Sequence, residues 1–279
     1  MKLRPIPCFS CLAAVLFSCN PGTKAVDPVA TSWKVYRGTY ESNAYSSLDQ
    51  INIDNVDKLK VAWTYRTGDH QPSSSIQCNP LIVGDTMYIS TPGSKIIALN
   101  AAKGSEIWKY DPETDISNPV PNPEGVHRGL TYWEDGSDKR LFYCVLNEIR
   151  SIDAKTGTLV TSFGNNGVVD LRDHLDRKVD KETAHIRNTS PGVVYKDLLI
   201  MGSSVNEAHG SLPGHIRAYD IRSGELKWVF HTIPHPGEFG YETWPEDYYL
   251  TGGGVNAWGG LSLDMERGIL YAPLGSPTH

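Results

Sequence analysis

Short runs of alternating apolar and polar residues, separated by turns rich in Asn, Asp and Gly, recur along most of this chain. One such unit reads IIALNAAKGSEIWKY (96–110), and two others read IRSIDAKTGTLVTSF (149–163) and HIRAYDIRSGELKWVF (215–230). A period of two is typical of strands that bury one face. The pattern therefore predicts paired strands and an all-β fold.

The turn has the same construction in all three units, with an Asn or Asp four residues before a Gly. The pairs are Asn100 and Gly104, Asp153 and Gly157, and Asp220 and Gly224. The Asx side chain caps such a turn, and Gly tolerates the positive φ that it requires. A Trp follows four residues later at Trp108 and Trp228, whereas the second unit has Phe163, two residues further on.

The spacing of the turns indicates a larger repeat. The three Asx residues lie 53 and 67 residues apart, and a propeller blade of four strands takes roughly 40–50 residues. A strand pair precedes each unit, at 76–91, 128–146 and 189–204, and a fourth begins at 258–275. The chain is thus predicted to hold three blades and part of a fourth. The segment 55–69 carries a Trp-ending strand without partners of its own, as expected of the strand that completes the last blade.

Composition and charge narrow the range of partners. The 26 Gly, 18 Pro, 14 Tyr and 7 Trp residues fit an all-β protein with many turns. The formal net charge is −6, and no run is rich in Lys or Arg. These features argue against nucleic acid or an anionic membrane surface as a partner.

The first nineteen residues predict export from the cytoplasm. Lys2 and Arg4 give a basic start, and the apolar stretch 11–17 is too short to span a bilayer. The stretch ends in Leu16-Phe17-Ser18-Cys19, which resembles a bacterial lipobox in which the cysteine is lipidated. The alternative is an ordinary signal peptide cut near Cys19. With 20–32 as a polar tether, we expect a periplasmic protein anchored to a membrane by its lipid.

Two cysteines, Cys78 and Cys144, remain after the export segment. They lie in separate strand-like runs, and their spacing matches no metal-binding motif. This favours small buried side chains over a disulfide.

The repeat A-x-D/N-x-x-x-G-x-x-x-W, together with LKVAWTYRTGD at 59–69, resembles the tryptophan-docking motif and opening strand of the pyrroloquinoline quinone (PQQ)-dependent dehydrogenases of alcohols and sugars. The resemblance covers about residues 33–279 and is closest to the quinoprotein glucose dehydrogenases. That family forms eight-bladed propellers, so the resemblance implies an eight-bladed β-propeller of which about three and a half blades lie in this chain.

The resemblance also implies a set of cofactor-binding residues. PQQ is a planar tricarboxylate, so its site needs cations, flat stacking walls and hydroxyl donors. By position, Arg128 in HRGL corresponds to the arginine that reaches the quinone oxygens, and Trp258 to the tryptophan beneath the ring. Thr189 and Ser204 match groups that bind a PQQ carboxylate, and Gln77 stands where many members have Glu. The structural alternatives are a strand-end Arg, a docking Trp and a strand-initiating Thr.

A metal site next to the quinone follows from the same resemblance. Glu207, in GSSVNEA (202–208), matches an acidic ligand for Ca²⁺ or a similar hard cation, although a solvated loop carboxylate is the alternative. Ser276 stands near a further metal ligand of the alcohol-oxidising members. The catalytic base, an Asp in the family, is expected beyond residue 279, with Arg128 assisting.

Several histidines offer candidate ligands for an additional metal site. They are His127, His185, His209, His231 and His235. Their spacings match no zinc motif, and the sequence therefore predicts no site built from them.

The function implied is oxidation of a sugar hydroxyl, glucose or another aldose first, or of an alcohol. PQQ is the hydride acceptor, and the electrons pass to ubiquinone or cytochrome c. The alternative is a non-catalytic propeller lipoprotein that serves as an assembly scaffold. Arg128, Glu207 and Trp258 together favour the enzyme, because a scaffold has no reason to place them around one funnel. Residues 20–279 alone are expected to be inactive, because the catalytic base is expected beyond residue 279.

Overall fold

A computed structural model describes residues 32–115, 117–121 and 125–278. Within these ranges the secondary structure is almost entirely strand. The strands are β1 (Leu81–Val83), β2 (Thr86–Ser90), β3 (Ile96–Asn100), β4 (Glu106–Tyr110), β5 (Thr131–Asp135), β6 (Asp138–Val145), β7 (Glu148–Asp153), β8 (Val168–Asp170), β9 (Ile186–Arg187), β10 (Val193–Tyr195), β11 (Leu198–Met201), β12 (Ser204–Val205), β13 (Ile216–Asp220), β14 (Leu226–Phe230), β15 (Gly253–Gly254), β16 (Ser262–Asp264), β17 (Ile269–Tyr271) and β18 (Pro277–Thr278).

Three four-stranded antiparallel sheets of the same order succeed one another along the chain. They are β1-β2-β3-β4, β5-β6-β7-β8 and β10-β11-β13-β14, and the hairpin β16-β17 begins a fourth. Two short ribbons, β9 with β12 and β15 with β18, join the connections between them. The predicted all-β propeller with about three and a half blades is confirmed.

The core lies between successive blades, and the second sheet is buried on both faces. In β6, Leu141 and Tyr143 pack in the cluster shared with the first blade, and Phe142 and Cys144 pack in the cluster shared with the third. Alternate residues of one strand thus pack against the two neighbouring blades, as the period of two requires. Cys144 is buried and Cys78 half-buried, and both are free thiols.

Docked tryptophans join the first blades. The Trp63 indole N–H donates to the carbonyl of Ala101 at 3.2 Å, and Trp108 donates to Ala154 at the same distance. Both acceptors directly follow the turn Asx. The turn glycines have φ of 68° at Gly104 and 74° at Gly157. A Cβ on either glycine would lie within 2.5 Å of the docked indole ring, so no larger residue fits.

The joint between the second and third blades is built differently, because the side chain of Phe163 has no N–H to donate. Phe163 is fully buried. Arg140 of β6 instead donates to the carbonyls of Ile221, at 3.4 Å, and Arg222, at 2.8 Å. Ile221 occupies the position that Ala101 and Ala154 hold in the other turns. An arginine from within the blade therefore replaces the indole.

Residues 59–66 form no strand ladder in the described part of the chain, although Trp63 is docked on the first blade. A 3-10 helix at Val56–Lys58 directly precedes these residues. This agrees with an opening strand whose blade partners are not among the described residues.

The segment 32–45 crosses the inner strands of several blades. Trp33 pairs with Ile82 of β1 through two backbone hydrogen bonds, of 3.3 and 2.9 Å. Tyr36 is buried against Gly129 and Gly260, at the starts of the second and fourth blades. The Tyr40 carbonyl then accepts from the N–H of Leu263 in β16 at 2.8 Å.

The remaining helices, a 3-10 turn at Tyr241–Thr243 and an α-helix at Tyr248–Thr251, are short. No helix within the described ranges has the length and hydropathy needed to cross a membrane. The predicted export segment, including Cys19, lies outside the described residues.

Candidate active site

The residues that precede the first strands of successive blades are joined by backbone hydrogen bonds. The N–H of Asn79 donates to the carbonyl of Arg128 at 2.8 Å, and the N–H of Arg128 donates to Thr189 at 2.9 Å. These bonds align three blade starts around the propeller axis. Residues placed there by similarity to the family are therefore neighbours in space.

The side chains of Arg128, Thr189 and Trp258 form the centre of the candidate site. Arg128 Nη1 donates to Thr189 Oγ1 at 2.6 Å. The Arg128 guanidinium carbon lies 5.3 Å from the centre of the Trp258 ring, within cation–π range. Trp258 is 49% exposed, and no carboxylate among the described residues is within ion-pair distance of Arg128. A cation, a hydroxyl and an open aromatic face thus meet at one place.

Three segments hold Trp258 in position. Ser190 Oγ donates to the Trp258 carbonyl at 2.6 Å. Two asparagine side chains tie the neighbouring segments together: Asn188 donates to Gly202 at 2.9 Å, and Asn256 donates to Ser203 at 3.1 Å. Residues 188–190, 202–204 and 256–258 therefore form one hydrogen-bonded unit.

Glycines allow these segments to approach closely. A Cβ on Gly202 would lie 2.4 Å from the carbonyl oxygen of Ala257, and one on Gly214 would lie 2.1 Å from the Cβ of Asn256. Any larger residue at either position would push the backbone that carries Trp258 out of place.

The other predicted site residues lie on adjoining segments. Ser204 is half-buried and pairs with Arg187 across the β9–β12 ribbon, and Glu207 is exposed in the loop that follows. Gln77 and Ser276 are also exposed. The carbonyl of Ser276 accepts from Val255 at 3.1 Å, on the segment that leads to Trp258.

Two features of this region were not predicted from the sequence. The Ser203 hydroxyl is buried and has no hydrogen-bond partner among the described residues. His127, next to Arg128, is buried with its Nε2 2.8 Å from Ser94 Oγ, and this burial lowers its pKa to about 4. Both residues precede β5, and they differ in burial: Arg128 is half-buried at the candidate site, whereas His127 is buried.

Residues 33–279 match the profile of the PQQ glucose/ethanol/alcohol dehydrogenase β-propeller domain. The chain belongs to this family. The repeat and the site residues that suggested a quinoprotein dehydrogenase lie within the matched range.

Curated relatives include dehydrogenases of sugars and of alcohols. Quinoprotein glucose dehydrogenase of Escherichia coli is 32% identical, with 91% of this chain and 34% of the relative covered. Lanthanide-dependent methanol dehydrogenase of Methylorubrum extorquens is 31% identical, with 95% and 46% covered. The chain thus spans roughly a third to a half of the length of these quinoproteins. The scaffold alternative receives no support from them.

A solved structure of the same family agrees with the fold. Quinohemoprotein alcohol dehydrogenase ADHIIG of Pseudomonas putida HK5 superimposes with a TM-score of 0.70 at 28% identity. The match covers 89% of this chain and 35% of that protein.

The structure brings three histidines together in a cluster that the sequence does not indicate. His231 and His235 meet His215, and the ligand atoms of all three lie within 4.8 Å of one another. Sequence spacing does not reveal this cluster, because it joins two separate connections at one end of the third blade.

Proposed function

We propose that this chain supplies part of the cofactor funnel of a PQQ-dependent dehydrogenase that oxidises a sugar or alcohol hydroxyl. The observation that carries the proposal is the contact of the Arg128 guanidinium with both Thr189 Oγ1 and the Trp258 ring. Glucose or another aldose is the first candidate substrate, since a glucose dehydrogenase is among the relatives. Ubiquinone or cytochrome c is the proposed electron acceptor.

The residues present fit a planar tricarboxylate. Arg128 has no carboxylate partner among the described residues, so its charge is available to an anion, and Trp258 offers an open indole face. Hydroxyls lie nearby at Thr189 and Ser204, and the buried Ser203 hydroxyl is without a partner among the described residues. Cations, flat walls and hydroxyls are the donor set that such a ligand requires.

Each residue then has a distinct role. PQQ, when bound, supplies the acceptor for the hydride that leaves the substrate carbon. With PQQ bound, Trp258 would stack against its ring, and Arg128 would polarise a quinone oxygen through its planar fork of N–H donors. Thr189 and Ser204 hydrogen-bond a carboxylate, and Gln77 contributes an amide at the ring edge.

A hard cation completes the proposed site. Glu207 is the proposed ligand on this chain, with Ser276 as a weaker candidate, and Ca²⁺ or a lanthanide fits such oxygen donors. One relative is named as lanthanide-dependent. The base that takes the hydroxyl proton is proposed to be an Asp outside residues 1–279.

PQQ binding tests this proposal directly. Titration of PQQ into the purified mature full-length protein with Ca²⁺ should give a saturable change in quinone absorbance. Arg128→Lys should weaken binding at least tenfold, because an ammonium cannot make the bidentate contact. Trp258→Ala should do the same through lost stacking. Arg267→Lys, at an exposed arginine paired with Asp264, is the matched control. An unchanged spectrum with well-folded protein would contradict the proposal.

Periplasmic location through a lipid on Cys19 is part of the same proposal. The lipobox-like sequence before Cys19 supports it. Cys19→Ser should shift the protein from the membrane fraction to the soluble periplasmic fraction. A wild-type protein that is already soluble after gentle lysis would show that the anchor is absent.

A further inference from the structure

Three histidines outside the proposed quinone site meet in one cluster. His215 precedes β13, and His231 and His235 follow β14. The rings of His231 and His235 are parallel with centres 3.9 Å apart, and the His215 ring lies 4.8 Å from that of His231. Imidazoles gathered at this density are unusual without a shared partner, because each is a strong donor or acceptor of hydrogen bonds.

Two carboxylates hold the cluster. Asp176 Oδ2 lies 2.9 Å from His215 Nε2 and 3.1 Å from His235 Nε2. Glu238 Oε1 lies 2.7 Å from His231 Nδ1, and its Oε2 accepts from the backbone N–H of His235 at 2.7 Å. Every histidine of the cluster therefore has a carboxylate neighbour.

We propose that His215, His231 and His235, with Asp176, bind a divalent transition-metal ion of the zinc type. Imidazole nitrogen and carboxylate oxygen are preferred ligands of such ions. At metal–ligand distances near 2.0–2.1 Å, neighbouring ligands of a tetrahedral ion are about 3.3 Å apart. The Asp176 contacts to His215 and His235 are already close to that separation.

The hydrogen bonds prepare the imidazoles for this role. Glu238 accepts the Nδ1 proton of His231, which leaves the Nε2 lone pair free, as in carboxylate–histidine–metal arrangements. Thr232 offers His215 Nδ1 a backbone donor at 3.1 Å and a hydroxyl at 3.4 Å. In this arrangement Nδ1 accepts from the backbone N–H, and Nε2 donates its proton to Asp176. If Nε2 binds the ion, the proton moves to Nδ1, where the Thr232 hydroxyl, and not the backbone N–H, accepts it.

Binding requires one local movement. An imidazole lone pair lies in the plane of its ring, so the parallel rings of His231 and His235 do not both point at one ion. One of them must turn, and both side chains are partly exposed, at 23% and 24%. His215 and Asp176, at 4% and 7%, are the fixed part of the site.

The cluster lies at the same end of the blades as the quinone site. In an antiparallel blade, the end of the fourth strand and the start of the third face the same end as the start of the first strand of the next blade. His231 and His215 occupy the former two positions, and Trp258 the last. The ion would therefore join the connection 171–192 to the connection that ends at Trp258. Arg177, which pairs with Asp176 and donates to the Tyr249 carbonyl at 2.6 Å, already makes a similar link.

Cobalt binding tests the proposal with a readout independent of dehydrogenase activity. Co²⁺ added to the purified protein, carrying no histidine tag, should bind with one equivalent and give the intense visible bands of tetrahedral coordination. Zn²⁺ should abolish these bands and Ca²⁺ should not. His231→Ala and His235→Ala should weaken binding at least tenfold, and Glu238→Gln by 10–100-fold. His185→Ala, at an exposed histidine outside the cluster, is the matched control.

Two results would overturn the proposal. One is the absence of tetrahedral bands at saturating Co²⁺ in folded wild-type protein. The other is an affinity in Glu238→Gln and His231→Ala equal to that of His185→Ala. Near-UV circular dichroism reports folding, and Glu238→Gln, which keeps an oxygen acceptor for His231, serves if a histidine variant fails to fold.

Discussion

His127 and Arg128 show how adjacent residues take opposite tasks at the start of a blade. Arg128 is half-buried and contacts Thr189 and Trp258. His127 is buried beneath it, beside Ser94 and 5.8 Å from the Tyr143 ring. Burial disfavours the charged imidazole and lowers the pKa of His127 to about 4. His127 is therefore neutral support for the residue that is proposed to meet the quinone.

This burial predicts a loss of stability in mild acid. The unfolded chain takes up a proton at His127 near pH 6.5, whereas the folded protein does so only near its lowered pKa. The contribution of neutral His127 to the free energy of unfolding is complete above pH 6.5 and is lost as the pH falls toward 4. Between pH 7 and 5 the loss should be about 2 kcal/mol, from the difference between those pKa values.

Urea unfolding at both pH values measures this effect. His127→Gln keeps a polar group near Ser94 but does not titrate. Between pH 7 and 5 the free energy of unfolding of this variant should therefore fall by about 2 kcal/mol less than that of the wild type. An equal fall in the two proteins would mean that His127 does not titrate as its burial requires.

The proximity of residues at equivalent points of a repeat could be predicted from the sequence. Arg128, Thr189 and Trp258 each precede the first strand of a blade, so the propeller brings them together; their binding of PQQ stays a prediction. The histidine cluster could not be predicted in this way, since Asp176 and His215 are 39 residues apart and meet only when two connections are packed. No local spacing encodes that contact.

The joints between blades use two chemically different solutions. Trp63 and Trp108 donate an indole N–H to the residue after the turn Asx. In the second unit, Phe163 fills space and Arg140 donates instead. The displaced aromatic residue is visible in the sequence, but the role of Arg140 is not. Arg140 lies in β6, more than twenty residues before Phe163.

Arg140→Met should therefore weaken the joint between the second and third blades. The change leaves two carbonyls without their donor and Asp138 without its partner. Loss of such charged hydrogen bonds should lower the free energy of unfolding by about 2 kcal/mol. Urea unfolding measures the change.

Arg267→Met is the control for this prediction, because Arg267 is 71% exposed and makes one surface ion pair. Its effect should stay below about 0.5 kcal/mol. Equal effects of the two substitutions would show that Arg140 does not stabilise the joint between the second and third blades.

At the scale of the molecule, the last described blades present an uncovered face. Trp228, which would dock on the next turn, is 38% exposed, and Phe230 is 60% exposed. The chain spans about a third of the length of the glucose dehydrogenase relative. A neighbouring blade packed here would cover this face, because a propeller blade is stabilised by packing on both of its neighbours.

Residues 33–279 expressed alone should show no PQQ-dependent dye reduction with glucose or ethanol, even with PQQ and Ca²⁺ added. A part of the funnel binds the cofactor incompletely, and the proposed base is not in this range. The complete dehydrogenase assayed in parallel is the control. Turnover by residues 33–279 would place the base within them.

The segment 32–45 has a consequence for the order in which the molecule is made. Its contact from Tyr40 to Leu263 joins residues 223 positions apart, and such contacts raise the contact order and slow folding. During synthesis the early blades emerge and form from local hairpins before Leu263, the partner of Tyr40 in this segment, has been made. The segment 32–45 therefore reaches its final position late in folding. A ribosome stalled before residue 263 would carry formed blades on which this segment is not yet fully docked.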